Sequence, residues 1–262
     1  MTQTRRLFLQ TVAATGATMV LPFAARAEQH ASDVFETAAG PITVHPIHHA
    51  SMVLETPAGV IYVDPVGGAD LYAGFASPGL ILITHEHGDH YDADTLAAVM
   101  GEETRLVTNP AVHAMLAEDI VARAEALENG ASSAFGGVTI DAIPAHNTTE
   151  GRMDFHPEGR DNGYVLGFEE FRVYVSGDTE PTPEMLALED IDLAFLCMNL
   201  PFTQTAEQAA DAVRQFRPKV VYPYHYRGRD GGTQDPETFA SLVGDAAEVR
   251  MGDWYEPGEL EG

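Results

Sequence analysis

The sequence predicts an α/β fold of the α+β kind, a four-layer αββα sandwich with two β-rich layers face to face and helices outside. Three observations carry this. Short β-type runs alternate with helical ones in both halves of the chain. The run Gly79 to Thr84 is apolar at nearly every position, as expected of a strand covered on both faces. No low-complexity tract or linker divides the sequence after its first 27 residues, so residues 28–262 read as one domain.

Taken in order, Met52–Glu55 and Val60–Asp64 are two strands joined by the turn Pro57-Ala58-Gly59. After the buried run comes a short helix, Ala93–Met100, with Asp92 as its cap and Gly101 as its stop. Arg105–Thr108 reads as a strand and the Ala-rich stretch Ala111–Asn129 as one helix. Val138–Pro144 opens the second half, followed by Tyr164–Phe168 and Arg172–Ser176 as a strand pair around Glu169-Glu170. Thr182-Pro183-Glu184 starts a helix by capping and first-position proline rules, and Leu193–Met198 is another apolar strand. Thr205 and Gln208 fit a capping box, and Ala206, Ala209, Ala210, Val213 and Phe216 keep helical spacing up to Pro218. Lys219–Tyr224 is a strand, and Asp235-Pro236-Glu237 opens a last helix closed by Gly244.

Composition narrows the function classes. At 262 residues and 45% apolar, the chain can bury a sizeable core. Its 40 acidic side chains against 14 basic ones give a formal charge of -26, which repels polyanions and excludes non-specific nucleic-acid binding and a polybasic membrane contact. Cys197 is the only cysteine, so no intramolecular disulfide and no thiolate metal cluster can form. Residues 1–27 have the composition of a targeting segment. Arg5-Arg6 followed by Leu7-Phe8-Leu9 resembles a bacterial twin-arginine signal, and Ala25-Arg26-Ala27 supplies a cleavage site. The apolar stretch between them is too short to span a bilayer. The expectations are engagement of the twin-arginine translocase, a periplasmic or secreted mature protein, and no stable membrane anchor.

The strongest chemical signal follows the buried strand, in Thr84-His85-Glu86-His87-Gly88-Asp89-His90. Three imidazoles and a carboxylate on one loop can converge on metal. His85, His87, Asp89 and His90 form the H-x-H-x-D-H pattern, and His146, Asp178 and His225 follow in order, each just after an apolar strand. The chain thereby resembles the metallo-β-lactamase superfamily over most of residues 28–262. The resemblance implies two mixed β-sheets and a binuclear centre, with His85, His87 and His146 on one divalent ion and Asp89, His90 and His225 on the other. Asp178 would bridge them. Zinc is the default for this ligand set, with manganese or iron compatible. A hydroxide shared by the ions would be the nucleophile, so Asp89 counts among both the catalytic and the metal-binding residues. Asp64, ending its strand, is placed to support a ligand imidazole; a turn carboxylate before Pro65 fits it equally.

Within the superfamily, His49-Ala50-Ser51, Val63-Asp64-Pro65 and the helix Ala206–Phe216 with Pro218-Lys219-Val220-Val221 resemble the branch containing ascorbate-6-phosphate lactonase and N-acyl-phosphatidylethanolamine phospholipase D. With the signal segment, this implies an exported hydrolase that cleaves an ester-type bond, a lactone or a phosphodiester, in a small anionic substrate. The alternative is a non-catalytic metal-binding or partner-binding protein on the same fold. Leaving-group protonation falls to His49, Tyr226 or a metal-bound water. His48, His113 and His156 have weaker claims on the site. Arg227 and Arg229, directly after His225, are placed to hold an anionic substrate, although Asp230 beside them could neutralise them. Arg152 and Arg160 face the same competition from Glu150, Asp154, Glu158 and Asp161. His87, where an oxygen-reducing diiron relative would need Glu, disfavours redox chemistry. Cys197, in an apolar strand, reads as a packed thiol.

Overall fold

A computed structural model describes residues 32–260. The expected signal segment and its cleavage point lie outside the described residues. Within them the strands fall into two sheets of seven. The first holds β1 (Asp33–Phe35), β2 (Ile42–His48), β3 (Ser51–Thr56), β4 (Gly59–Val63), β5 (Leu80–Ile83), β6 (Arg105–Thr108) and β7 (Ala124–Ala126), paired in that order. The second holds β8 (Ser132–Phe135), β9 (Val138–Ala145), β10 (Asp161–Phe168), β11 (Phe171–Val175), β12 (Leu193–Cys197), β13 (Val220–Tyr224) and β14 (Glu248–Val249), again in chain order.

The two sheets share one plan. In each, the first four strands pair antiparallel, with the long loop 146–160 between β9 and β10, and the fourth then begins a parallel series. Parallel neighbours need crossovers, and these carry α1 (Ala93–Val99), α2 (Pro110–His113) and α3 (Glu118–Val121) in the first half. In the second they carry α4 (Pro183–Leu186), α5 (Ala206–Phe216) and α6 (Pro236–Val243). Asp92, Asn109, Thr182, Thr205 and Asp235 each accept a backbone N–H at the start of their helices, with the capping box at Thr205 and Gln208 complete.

The sandwich follows from period-two burial on strands covered twice. Ile61, Val63, Leu80 and Leu82 enter the core between the sheets, while Tyr62, Ile81 and Ile83 enter a second cluster with Leu96, Val112 and Ile120 from the helices. Each such side chain removed from water contributes about 1.5–3 kcal/mol. On the other side α5 turns Ala209, Ala210, Val213 and Phe216 to the second sheet, where Phe216 meets the Tyr174 ring at 6.1 Å.

One expected element is different. Ala111–Asn129 is not a single helix: it breaks into α2 and α3 and ends in β7. Alanine favours helix locally, but the exposed edge of β6 offers a ladder, and Ala124 pairs with Leu106 while Leu127 donates to Thr108 O at 2.8 Å. Tertiary pairing overrides propensity here.

Candidate metal centre

The functional side chains stand on corners just past strand ends. After β4, Asp64 turns in a left-handed conformation (φ 45°), fully buried. Its carboxylate accepts the Thr84 N–H and the Thr84 hydroxyl, both at 2.7 Å, and lies 2.8 Å from His90 Nδ1. One carboxylate thus ties β4 to the loop after β5 and aims His90 Nε2 away from itself. The same loop closes on His87 O, which accepts the N–H of His90 and Tyr91, so His85, His87, Asp89 and His90 share one compact turn.

After β11, the corner Ser176-Gly177-Asp178 needs a glycine, because Gly177 has φ +61° and a Cβ there would lie 2.7 Å from Asn162 O. Cys197 Sγ accepts the Thr179 N–H at 3.4 Å and holds this corner. Asp178 Oδ1 is then 3.4 Å from His90 Nε2, and Oδ2 is 3.5 Å from His156 Nε2 and 3.4 Å from His225 Nε2. After β13, His225 is itself left-handed (φ 50°), with Nδ1 2.7 Å from the Asn199 amide. His49, at the β2–β3 turn, is left-handed as well (φ 55°) and accepts the His225 N–H through its carbonyl at 3.2 Å.

Three sets of donor atoms result: His85, His87 and His156; His49, Asp89 and His225; and His85, His90 and Asp178. His90 Nε2, His156 Nε2, His225 Nε2 and Asp178 Oδ1 are buried without a hydrogen-bond partner. Four buried, unpaired polar atoms distributed over these sets are costly unless cations meet them, and imidazole plus carboxylate suits a divalent metal. The residues therefore fit the group that their spacing implies.

Electrostatics agree. Burial, then neighbouring His90, pushes His85 well below its ordinary value, and burial with His156 lowers His87, so both are neutral donors. His49 is pushed down to about 3 by burial and His225. Burial opposes a charge on Asp178, but His225 and His90 outweigh it and hold the carboxyl well below the usual range. Burial is likewise outweighed at Asp89 by contacts with His225 and His49, and the carboxylate stays ionised. Asp178 and Asp64 overcome burial at His90 and favour a positive charge at this point.

A model of the β-lactamase superfamily domain matches residues 43–225. A UPF0173 metal-dependent hydrolase of Thermococcus onnurineus is 35% identical over 187 residues, covering 69% of this chain and 80% of the relative. The chain belongs to this family of metal-dependent hydrolases, in the metallo-β-lactamase superfamily. A Pyrococcus horikoshii member is 32% identical over 71% of the hydrolase and 81% of its own length. The crystal structure of a metal-dependent hydrolase from Parabacteroides distasonis is 38% identical, covers 86% of this chain and all of the other, and superposes with a TM-score of 0.77. The metallo hydrolase Igni18 of Ignicoccus hospitalis, at 23% identity and TM-score 0.67, shares the fold.

Of the expected ligands, the hydrolase brings together His85, His87, Asp89, His90, Asp178 and His225, but not His146. His146 directly follows β9 with its backbone bound to Thr179 and Glu180; its Nδ1 is buried without a hydrogen-bond partner, but it belongs to none of the three donor sets. His156 instead stands with His85 and His87. The loop after β9 folds back so that Asn147 N–H donates to His156 O at 2.8 Å, and Asp161 Oδ2, 3.0 Å from His156 Nδ1, turns Nε2 toward Asp178. The available signal was a histidine five residues before an aspartate that opens a strand.

A cleft of about 380 Å³ opens over the centre, with His87, Asp89, His156, Asp178 and His225 at its base and Phe155, Phe202 and Arg229 on its wall. His49 stands beside Asp89 (Nε2 to Oδ2, 3.4 Å), with its Nδ1 2.6 Å from the Tyr255 hydroxyl. Sequence reasoning did not find Tyr255, which arrives from the segment after β14. Tyr226 packs edge-on against Tyr255 and does not line the cleft. Arg227, expected to meet substrate, is paired with Glu259 and sits over the Tyr255 ring. Only Arg229 of the two reaches the cleft. Arg152 and Arg160 are engaged by Glu180 and by Asp161 with Glu86.

Proposed function

We propose that the hydrolase cleaves an ester-type bond, a lactone or a phosphodiester, in a small anionic substrate, using two divalent ions held on either side of Asp178. One ion would be held by His85, His87 and His156, and the other by Asp89, His90 and His225 with His49 adjacent. The observation that carries this is Asp178, whose two oxygens lie 3.4 to 3.5 Å from three imidazole nitrogens of different loops. When bound, such ions generate a nucleophile from water at neutral pH and polarise the attacked bond.

The chain's own side chains do the rest. Asp64 and Asp161 fix the ring orientations of His90 and His156, so neither must reorganise during reaction. His49, neutral by burial and beside Asp89, is placed to take and return a proton at Nε2. Arg229 supplies the positive charge at the cleft wall that an anionic substrate requires on a chain of charge -26. Zinc suits the donor set, with manganese or iron as alternatives. The twin-arginine-like residues 1–27 support export to the periplasm or medium, testable by Arg5→Lys with Arg6→Lys, which should retain the protein inside.

Metal analysis and turnover on lactones and bis-aryl phosphodiesters test the reading together. About two ions per chain with turnover on either class is the expected result. Full metal loading with no turnover on both classes would leave a metal-binding protein without hydrolytic function.

A further inference from the structure

Arg229 differs from every other cation among the described residues. Each of the remaining arginines, and Lys219, has a carboxylate or carbonyl partner: Arg152 meets Glu180 at 2.9 Å, Arg160 meets Asp161 at 2.6 Å, and Lys219 meets Asp192 at 2.6 Å. The Arg229 backbone bonds to Leu200 O and Gly232 N–H, but its guanidinium makes no ion pair or hydrogen bond among the described residues and instead lies over the Phe202 ring, 5.1 Å from its centroid. In a chain with 40 acids, an unpaired guanidinium at the mouth of a cleft keeps its donors free for an anion.

The wall beneath it is aromatic and rigidly built. Phe155 meets Phe202 edge-on, centroids 5.1 Å apart at 78°. The two rings come from different loops, joined by buried Asn147, whose amide donates to Phe202 O at 2.6 Å and Arg152 O at 2.9 Å. Arg152 adds a bond to Thr203 O at 2.7 Å. Both rings are half-buried and face the cleft, where apolar surface gains from a matching surface on a ligand.

We propose that Arg229, Phe202 and Phe155 form a recognition subsite for an anionic group carried on an aromatic body, a carboxylate or a phosphate-type acid on a planar ring. A sugar acid of the same charge offers the guanidinium its anion but leaves both rings facing polar surface. The proposal rests on the hydrolase reading for its substrate but not for its binding measurement.

Calorimetry on the metal-loaded, full-length protein uses benzoate and phenylphosphonate against acetate and methylphosphonate, with benzamide as the uncharged ring. The expected result is phenyl binding at least about tenfold tighter than methyl for one acid pair, and weak binding of benzamide. The preferred pair identifies carboxylate or phosphonate as the acid. Arg229→Met should weaken the preferred acid about tenfold, and Arg229→Lys should restore part of the loss. Phe202→Leu should erase the phenyl preference while metal content and thermal midpoint stay as in the parent. Equal binding of phenyl and methyl acids, or an unchanged constant in Arg229→Met, overturns the subsite. Turnover of esters without this discrimination refutes the subsite alone. Discrimination without any turnover refutes the hydrolytic reading alone.

Discussion

The two outer donor sets around Asp178 are built differently. His85 and His156 are backed by charge: Asp161 stands behind His156, and Asp64 holds the Thr84 hydroxyl that lies 3.0 Å from His85 Nδ1. On the other side Asp64 stands behind His90, but His49 and His225 are backed by neutral groups, the Tyr255 hydroxyl and the Asn199 amide, and Asp89 is half exposed. Their backbone also carries strain, since His49 and His225 both hold positive φ, at about 1–3 kcal/mol each for non-glycine residues. Carboxylate support raises the basicity of an imidazole and fixes its ring; a hydroxyl does the second but little of the first. The difference teaches that the side of His85, His87 and His156 is the firmer anchor and the side of Asp89 and His225, next to His49, the more adaptable position.

Removing the carboxylate common to both sides should have the largest effect. Asp178→Ala is expected to lose metal and to lower kcat/KM by about 10³-fold, the equivalent of several kcal/mol of transition-state stabilisation, measured by metal analysis and steady-state kinetics. Next, His156→Ala should release metal from the anchor side, whereas His146→Ala should retain it. Equal metal content in the two variants would remove His156 from the ligand set. A smaller contrast separates the supports. Asp161→Asn should weaken metal binding about 10–100-fold in a chelator competition, and Tyr255→Phe should weaken it less, since no charge is lost. If Tyr255→Phe is the more damaging, the anchor and the adaptable side are reversed. The smallest expected effect is chemical silence. Burial, with Asp178 nearby, pushes the Cys197 thiol up to about 12, so at pH 8 it is protonated and unreactive toward iodoacetamide until the protein is unfolded. Alkylation of the folded protein, followed by mass spectrometry, would expose a looser corner at Asp178 than the one described.

Legibility followed sequence distance. The turn from Thr84 to Asp92 was readable because four donors sit on one loop whose conformation is local, closed on His87 O. Asp178 and His225 were readable as single polar residues past apolar strands, β11 and β13. His156 was not, since its approach depends on a fold-back in which Asn147 meets His156 and on Asp161, which opens β10. Arg227 and Arg229 look alike in sequence, two residues apart. Glu259, more than thirty residues later, captures the first, and the second is left to the cleft.

By itself the amino-acid sequence determined the layered sandwich, because period-two burial and helix caps are local consequences of side-chain chemistry. It also placed His85, His87, Asp89 and His90 on one loop, because their H-x-H-x-D-H spacing is local to the turn after β5. Tertiary structure alone decided which of His146 and His156 meets Asp178, that Ala124–Ala126 joins a sheet rather than a helix, and which arginine stays unpaired. Those outcomes depend on contacts between segments far apart in the chain, where competing partners of similar local propensity are separated only by the geometry of the assembled sheets.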